Sequence, residues 1–92
     1  MQVLAPIESA SMATTLRKRL GGRLLVERVQ VLHWNVATAA RHAKVDAKAI
    51  GRIERGENYE WDSLEKYAIA LGHALEWWLK EVLVEESHRR AG

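Results

Sequence analysis

Three residues partition the middle of this chain. Asn35 and Asp46 have short side chains that accept a hydrogen bond from the backbone N–H groups opening a helix, and Gly56 suits the left-handed position just past the end of one. Behind Asn35 come Ala39, Ala40 and Ala43, small enough to let another backbone approach closely. Behind Asp46 come Ala47, Ala49, Ile50 and Ile53. The spacing predicts two short helices that nearly abut, joined by a tight turn at Lys44-Val45.

The flanks read as helices too. Leu16, Leu20, Leu24, Leu25, Val29 and Leu32 recur at steps of mostly three or four, an amphipathic helix interrupted or entered at Gly21-Gly22. Asp62 or Ser63 opens a fourth helix, with Glu65 completing a capping box ahead of Leu64, Tyr67, Ala68 and Leu71, and Gly72 ends it. A fifth runs from about Ala74 to Glu86, with Leu75, Trp78, Leu79, Val82 and Leu83 on one face. Met1–Thr15, rich in small residues and holding Pro6, reads as a flexible tail; residues 16–86 form the domain and 87–92 a charged tail. No strand is needed, so the expected class is all-α, a compact five-helix domain.

The chain has 92 residues, 48% hydrophobic and 28% charged, enough for one modest core and no second domain. Cysteine is absent, which removes disulfides and thiolate metal sites. Met1–Ala10 has no positive charge before its apolar residues, and no run approaches about 18 apolar residues, so neither a signal peptide nor a membrane span is expected. The net charge of +2 hides an asymmetry. Residues 1–56 carry ten Lys or Arg against four acids, a balance of +6, and residues 57–92 carry four against eight, a balance of −4. A basic segment suits a polyanion, and the acidic remainder would face away from it or meet a protein.

Leu24 to Leu79 resembles the lambda-repressor and Cro-like helix-turn-helix family of prokaryotic and phage regulators. The resemblance rests on Ala40, on Val45 at the turn, on the run Ile50-Gly51-Arg52-Ile53-Glu54-Arg55-Gly56, and on Leu64 with Ala70-Leu71-Gly72 downstream. It implies a cytoplasmic, sequence-specific regulator of transcription, a repressor or Cro-like protein, bound to double-stranded DNA with its third helix in the major groove. Ala40 would lie where the second and third helices cross, with Val45, Ile50 and Ile53 beneath the recognition helix. Ala47, Lys48 and Arg52 match the base-reading set: Arg52 on a guanine edge, Lys48 on a similar edge or a phosphate, Ala47 on a thymine methyl. Gly51 would leave space against the groove. Arg41, Lys44 and Arg55 would hold phosphates, and Arg17-Lys18-Arg19 would form a basic arm beside the tail.

The chain departs from the family pattern at four places. Lys44 stands where the family often has a glycine, so a positive backbone angle there would cost about 1 kcal/mol. Val36 cannot offer a polar group to phosphate at the start of the second helix. The family often pairs the glutamate matching Glu54 with an arginine of the first helix; ungapped alignment puts Val29 there, with Arg28 one residue away, and leaves that pair open. Glu57, Glu60 and Asp62 follow Gly56, where the family loop is often basic.

Other chemistry finds little footing. His33, His42, His73 and His88 show no metal-ligand spacing, Gly21-Gly22 is no phosphate loop, and no nucleophile, base and orienter set appears. Neither an enzyme nor a cofactor is expected. Trp34, Trp61 and Trp78 read as core or core-edge residues. Trp77 lies about 160° from the core axis of the fifth helix, on the same face as Val84, and this stripe predicts a homodimer interface. Two further readings stay open: an antitoxin-type module that also binds a protein through its acidic C-terminal half, and a fold relative that has lost DNA binding.

Overall fold

The structure, a computed structural model, describes residues 4–91, with side-chain surroundings described for 14–85. Helix α1 (Leu4–Val26) leads into a π-helical turn (Glu27–Val31), followed by α2 (Val36–Ala43), α3 (Ala47–Arg55), α4 (Trp61–Ala70) and α5 (Leu75–Ala91). The described residues are all-helical, with no strand among them. Among the described residues no helix is long and apolar enough to cross a membrane. Two boundaries fall outside the expected ones. The first helix begins at Leu4, within the segment read as a tail, and Pro6 lies in its opening turn, where an N–H would have no intrahelical partner. At the other end α5 continues to Ala91, through the segment read as a charged tail.

One core joins all five helices. Leu20 and Leu24 of α1 meet Ala39 and Ala43 of α2, Ile50 and Ile53 of α3, Leu64, Tyr67 and Ala68 of α4, and Leu75, Trp78 and Val82 of α5. Leu71, in the α4–α5 connection, completes it. Trp78 has no exposed surface, and its indole N–H is shared between the carbonyls of Ala68 at 3.0 Å and His73 at 3.1 Å, so burying this large ring leaves no donor unpaired. Arg23 of α1 lies over the same ring, 4.9 Å from its centroid, joining the first helix to the last.

The π-helical turn shifts the register of the chain that follows the first helix. Leu32 N–H bonds Glu27 O at 3.0 Å, five residues back, and the extra residue rotates everything beyond it. Leu20, Leu24 and Arg28, four residues apart, take the inward line, so Leu25 and Val29, expected on the apolar face, are exposed, while Leu32 packs against the core. Leu83 of α5, also expected inside, is 55% exposed because it lies beyond the last packed turn. In α2 the fully packed alanines are Ala39 and Ala43, with Ala40 at their edge. The N-cap of the fourth helix lies two residues before Asp62: Glu60 takes that position and makes no side-chain capping bond, and Asp62 pairs instead with Lys66 at 3.0 Å.

The glycines of α1 are not a joint. The helix passes through them unbroken, and Gly21 marks the closest approach of α1 to α3. A Cβ there would stand 2.2 Å from Ile53 O and 2.8 Å from Glu54 O, both backbone atoms. Gly22, one residue on, has nothing within 4 Å of a Cβ. The two positions therefore form a matched pair. Gly21→Ala should destabilise the protein by about 1–3 kcal/mol as α1 is forced off α3, and Gly22→Ala should stabilise it by up to about 1 kcal/mol through helix propensity. Urea unfolding of both variants tests the contact, and equal shifts would contradict it.

Candidate nucleic-acid interface

The two abutting helices are built by their caps. The Asn35 side chain accepts from Thr38 N–H at 2.8 Å, and Asp46 accepts from Lys48 N–H at 3.3 Å. Between them Lys44 takes the left-handed conformation, φ 60° and ψ 43°, with Val45 N–H bonded to Ala40 O at 3.2 Å. The turn thus keeps its left-handed shape without a glycine, at a cost of about 1 kcal/mol. The third helix closes on Gly56, φ 74°, where a Cβ would also meet the α1 backbone, 2.8 Å from Lys18 Cα.

One face of α3 is locked inward. Ile50 and Ile53 are buried, and beside them the Glu54 carboxylate receives Arg28 Nε at 2.7 Å, Arg28 Nη2 at 3.0 Å and the Tyr67 hydroxyl. A third Arg28 nitrogen, Nη1, donates to Trp34 O at 2.9 Å. The ion-pair side chains are only 9% and 8% exposed. The pair that alignment left open is therefore made, through Arg28: the extra residue of the π-helical turn lies between it and α2, so counting back without a gap lands on Val29. Trp34 is held a second way, stacked on His42 of α2 with centroids 4.2 Å apart, a contact that residue spacing does not signal.

The opposite face of α3 carries the candidate residues. Ala47, Lys48 and Arg52 are exposed, and Lys48 and Arg52 make no side-chain hydrogen bond or ion pair among the described residues. Arg41, at the end of α2, and Lys44, at the turn, are exposed beside them, with Arg41 reaching Thr38 Oγ1 at 3.5 Å. Two other groups differ from expectation. Arg55 is engaged by Glu57, Nε to Oε2 at 2.8 Å and Nη2 to Oε1 at 3.2 Å. This hydrogen-bonded pairing holds the guanidinium above its ordinary pKa and Glu57 below the usual carboxylate range. Arg17, Lys18 and Arg19 lie within α1, not on an unstructured arm; Arg17 Nε donates to Gly56 O at 3.4 Å, and Lys18 packs against that glycine.

On α5, Trp77 is less open than its helical angle implies. It is 38% exposed, with His73 stacked on its ring at 3.6 Å and Trp78 edge-on at 5.0 Å. Val84 is about half exposed, beside exposed Leu83.

The packing around Glu54 has a pH signature. Burial, with the hydrogen bond to Glu54 adding to it, pushes the Tyr67 phenol above its ordinary value near 10.0, and burial also raises Tyr59. Below that value the folded and unfolded chains both keep the protons; above it the unfolded chain releases them first. Stability should therefore fall as pH rises above about 10, by at most about 1.4 kcal/mol per pH unit for each group. Urea midpoints at about pH 9 and about pH 11 should differ more in the wild-type chain than in Tyr67→Phe, which keeps only the share of Tyr59. Equal differences would remove Tyr67 from the account.

Compared with known proteins, the chain matches no family model, no curated sequence and no solved structure, so this surface is read from its own geometry.

Proposed function

We propose that this protein is a sequence-specific regulator that binds double-stranded DNA, a repressor or Cro-like protein, with α2 and α3 acting as a helix-turn-helix and α3 entering the major groove. The observation that carries this reading is the division of α3 into two faces. The inner face is fixed by Ile50, Ile53 and the Arg28–Glu54 pair, and the outer one presents Lys48 and Arg52 with no carboxylate paired to either among the described residues. A rigid helix with cations on its free side suits the major groove, where arginine and lysine reach guanine N7 and O6. Arg41, at the end of α2, and Lys44, on the adjoining turn, suit the phosphates at its edge.

Three base-reading side chains specify only a short half-site, so the reading includes a homodimer whose recognition helices lie about 34 Å apart, one turn of duplex. The exposed apolar residues Trp77, Leu83 and Val84 of α5 are the surface proposed for it. Leu83 and Val84 are flanked by Glu81 and Glu85, and this acidic setting favours, as the second reading, an antitoxin-type module with a protein partner there.

Site selection from random duplex DNA, followed by a salt titration, tests the proposal. Arg52→Ala and Lys48→Ala should each weaken the selected site by about 1–3 kcal/mol and relax the preference at particular positions. Arg41→Ala and Lys44→Asn should weaken all sequences alike and lower the salt slope by about one unit; asparagine tolerates the left-handed backbone of the turn. The absence of any enriched sequence at low salt would reject DNA binding. For the dimer, sedimentation of the intact chain and of Trp77→Lys should give a two-fold assembly and a folded monomer, respectively. A wild-type monomer would exclude the pairing.

A further inference from the structure

Arg55 lies at the middle of the outward face of α3. Counting about 100° per residue, Ala47, Gly51, Arg55, Lys48 and Arg52 follow one another across that face in this order. Helical side chains lean toward the N-terminus of their helix, and the Arg55 guanidinium accordingly lies back over Gly51. A Cβ at Gly51 would stand 3.0 Å from Nη1, 3.6 Å from Nη2 and 3.7 Å from Cζ, so the group rests where any other residue would place a side chain.

Glu57 then fixes which edge of the guanidinium is offered. A guanidinium carries five N–H groups in a rigid planar fork. The Glu57 carboxylate takes the Nε–H and one Nη2 N–H, at 2.8 and 3.2 Å. The N–H groups left belong to Nη1 and Nη2, and that edge engages two acceptors lying side by side. Guanine presents such a pair, N7 and O6, in the major groove. The Arg55 side chain is 61% exposed, so the fork is open to a ligand while its stem is restrained. A phosphate contact would gain from an uncompensated charge, which Glu57 removes. Reading a base needs orientation, which Glu57 supplies.

We infer that Arg55 reads a guanine, and that Glu57 and the bare backbone at Gly51 are the positioning elements that aim it. The inference rests on the placement of α3 in the major groove proposed above. It gives Arg55 a different role from the phosphate contact that the sequence resemblance implies, and it makes Glu57 a determinant of specificity.

The test compares sites selected from random duplex DNA by the intact chain and by Arg55→Lys, Glu57→Ala and Gly51→Ala. The wild-type chain should enrich a site in which one guanine loses its preference by about tenfold or more in each variant, the same guanine in all three, with the other positions unchanged. Arg55→Lys keeps the charge and so should keep the salt slope. If Glu57→Ala instead binds every sequence more tightly, with a salt slope steeper by about one unit and every base preference intact, then Arg55 is a phosphate contact restrained by Glu57. That result overturns this inference and leaves DNA binding standing. A wild-type chain that enriches no site overturns both. Glu57→Ala and Gly51→Ala disturb the guanidinium independently, so either one decides the matter if thermal melts show that the other fails to fold.

Discussion

A guanidinium and a carboxylate can leave water together only if each satisfies the other's hydrogen-bonding capacity, and Arg28 and Glu54 do so where three helical elements meet. Two bonds of 2.7 and 3.0 Å join them, the Tyr67 hydroxyl donates to the same carboxylate, and Arg28 donates again to Trp34 O. Such a pair need not add net stability compared with apolar residues of the same size, yet losing one partner alone typically costs about 3–5 kcal/mol. Its consequence here is positional. The end of the first helix, the approach to α2, α3 and α4 all share this one cluster, so none of them can rotate without stranding a buried charge.

A second constraint works through the backbone. Gly21 brings α1 against the last carbonyls of α3, and Gly56 lets the chain turn away in a left-handed conformation while lying against Lys18. A side chain at either place would have to occupy backbone, which cannot move aside as a flexible side chain can. The C-terminal end of α3 is therefore held twice, by charge pairing at Glu54 and by steric contact at Gly56.

Packing also sorts the basic residues, which the sequence offers as one undifferentiated excess. Arg28 is committed to the core cluster, Arg23 to Glu27 and the Trp78 ring, Arg17 to Gly56 O, and Arg55 to Glu57. Arg41, Lys44, Lys48 and Arg52 are exposed cations around α2 and α3 with no carboxylate paired to them among the described residues. The local field of this surface follows from those four positions more than from the charge balance of the first 56 residues.

The sequence by itself determined the local features of the chain. Asn35, Asp46 and Gly56 set the ends of α2 and α3 because caps depend on the bonding of one short side chain or on one backbone angle, and Ile50 and Ile53 declared the inner face of α3 through their spacing. Lys44 and Val45 marked the turn for the same local reason. Tertiary structure decided whatever required knowing a distant neighbour. The single residue added by the π-helical turn lies between Arg28 and α2, so that Arg28, not Val29, meets Glu54, a shift that counting back from α2 cannot register because it assumes a constant number of residues per turn. Gly21 reads as an interruption of the first helix until α3 lies against it. Backbone geometry is written residue by residue, whereas the partner of a charge or of a bare glycine is known only once the helices have packed.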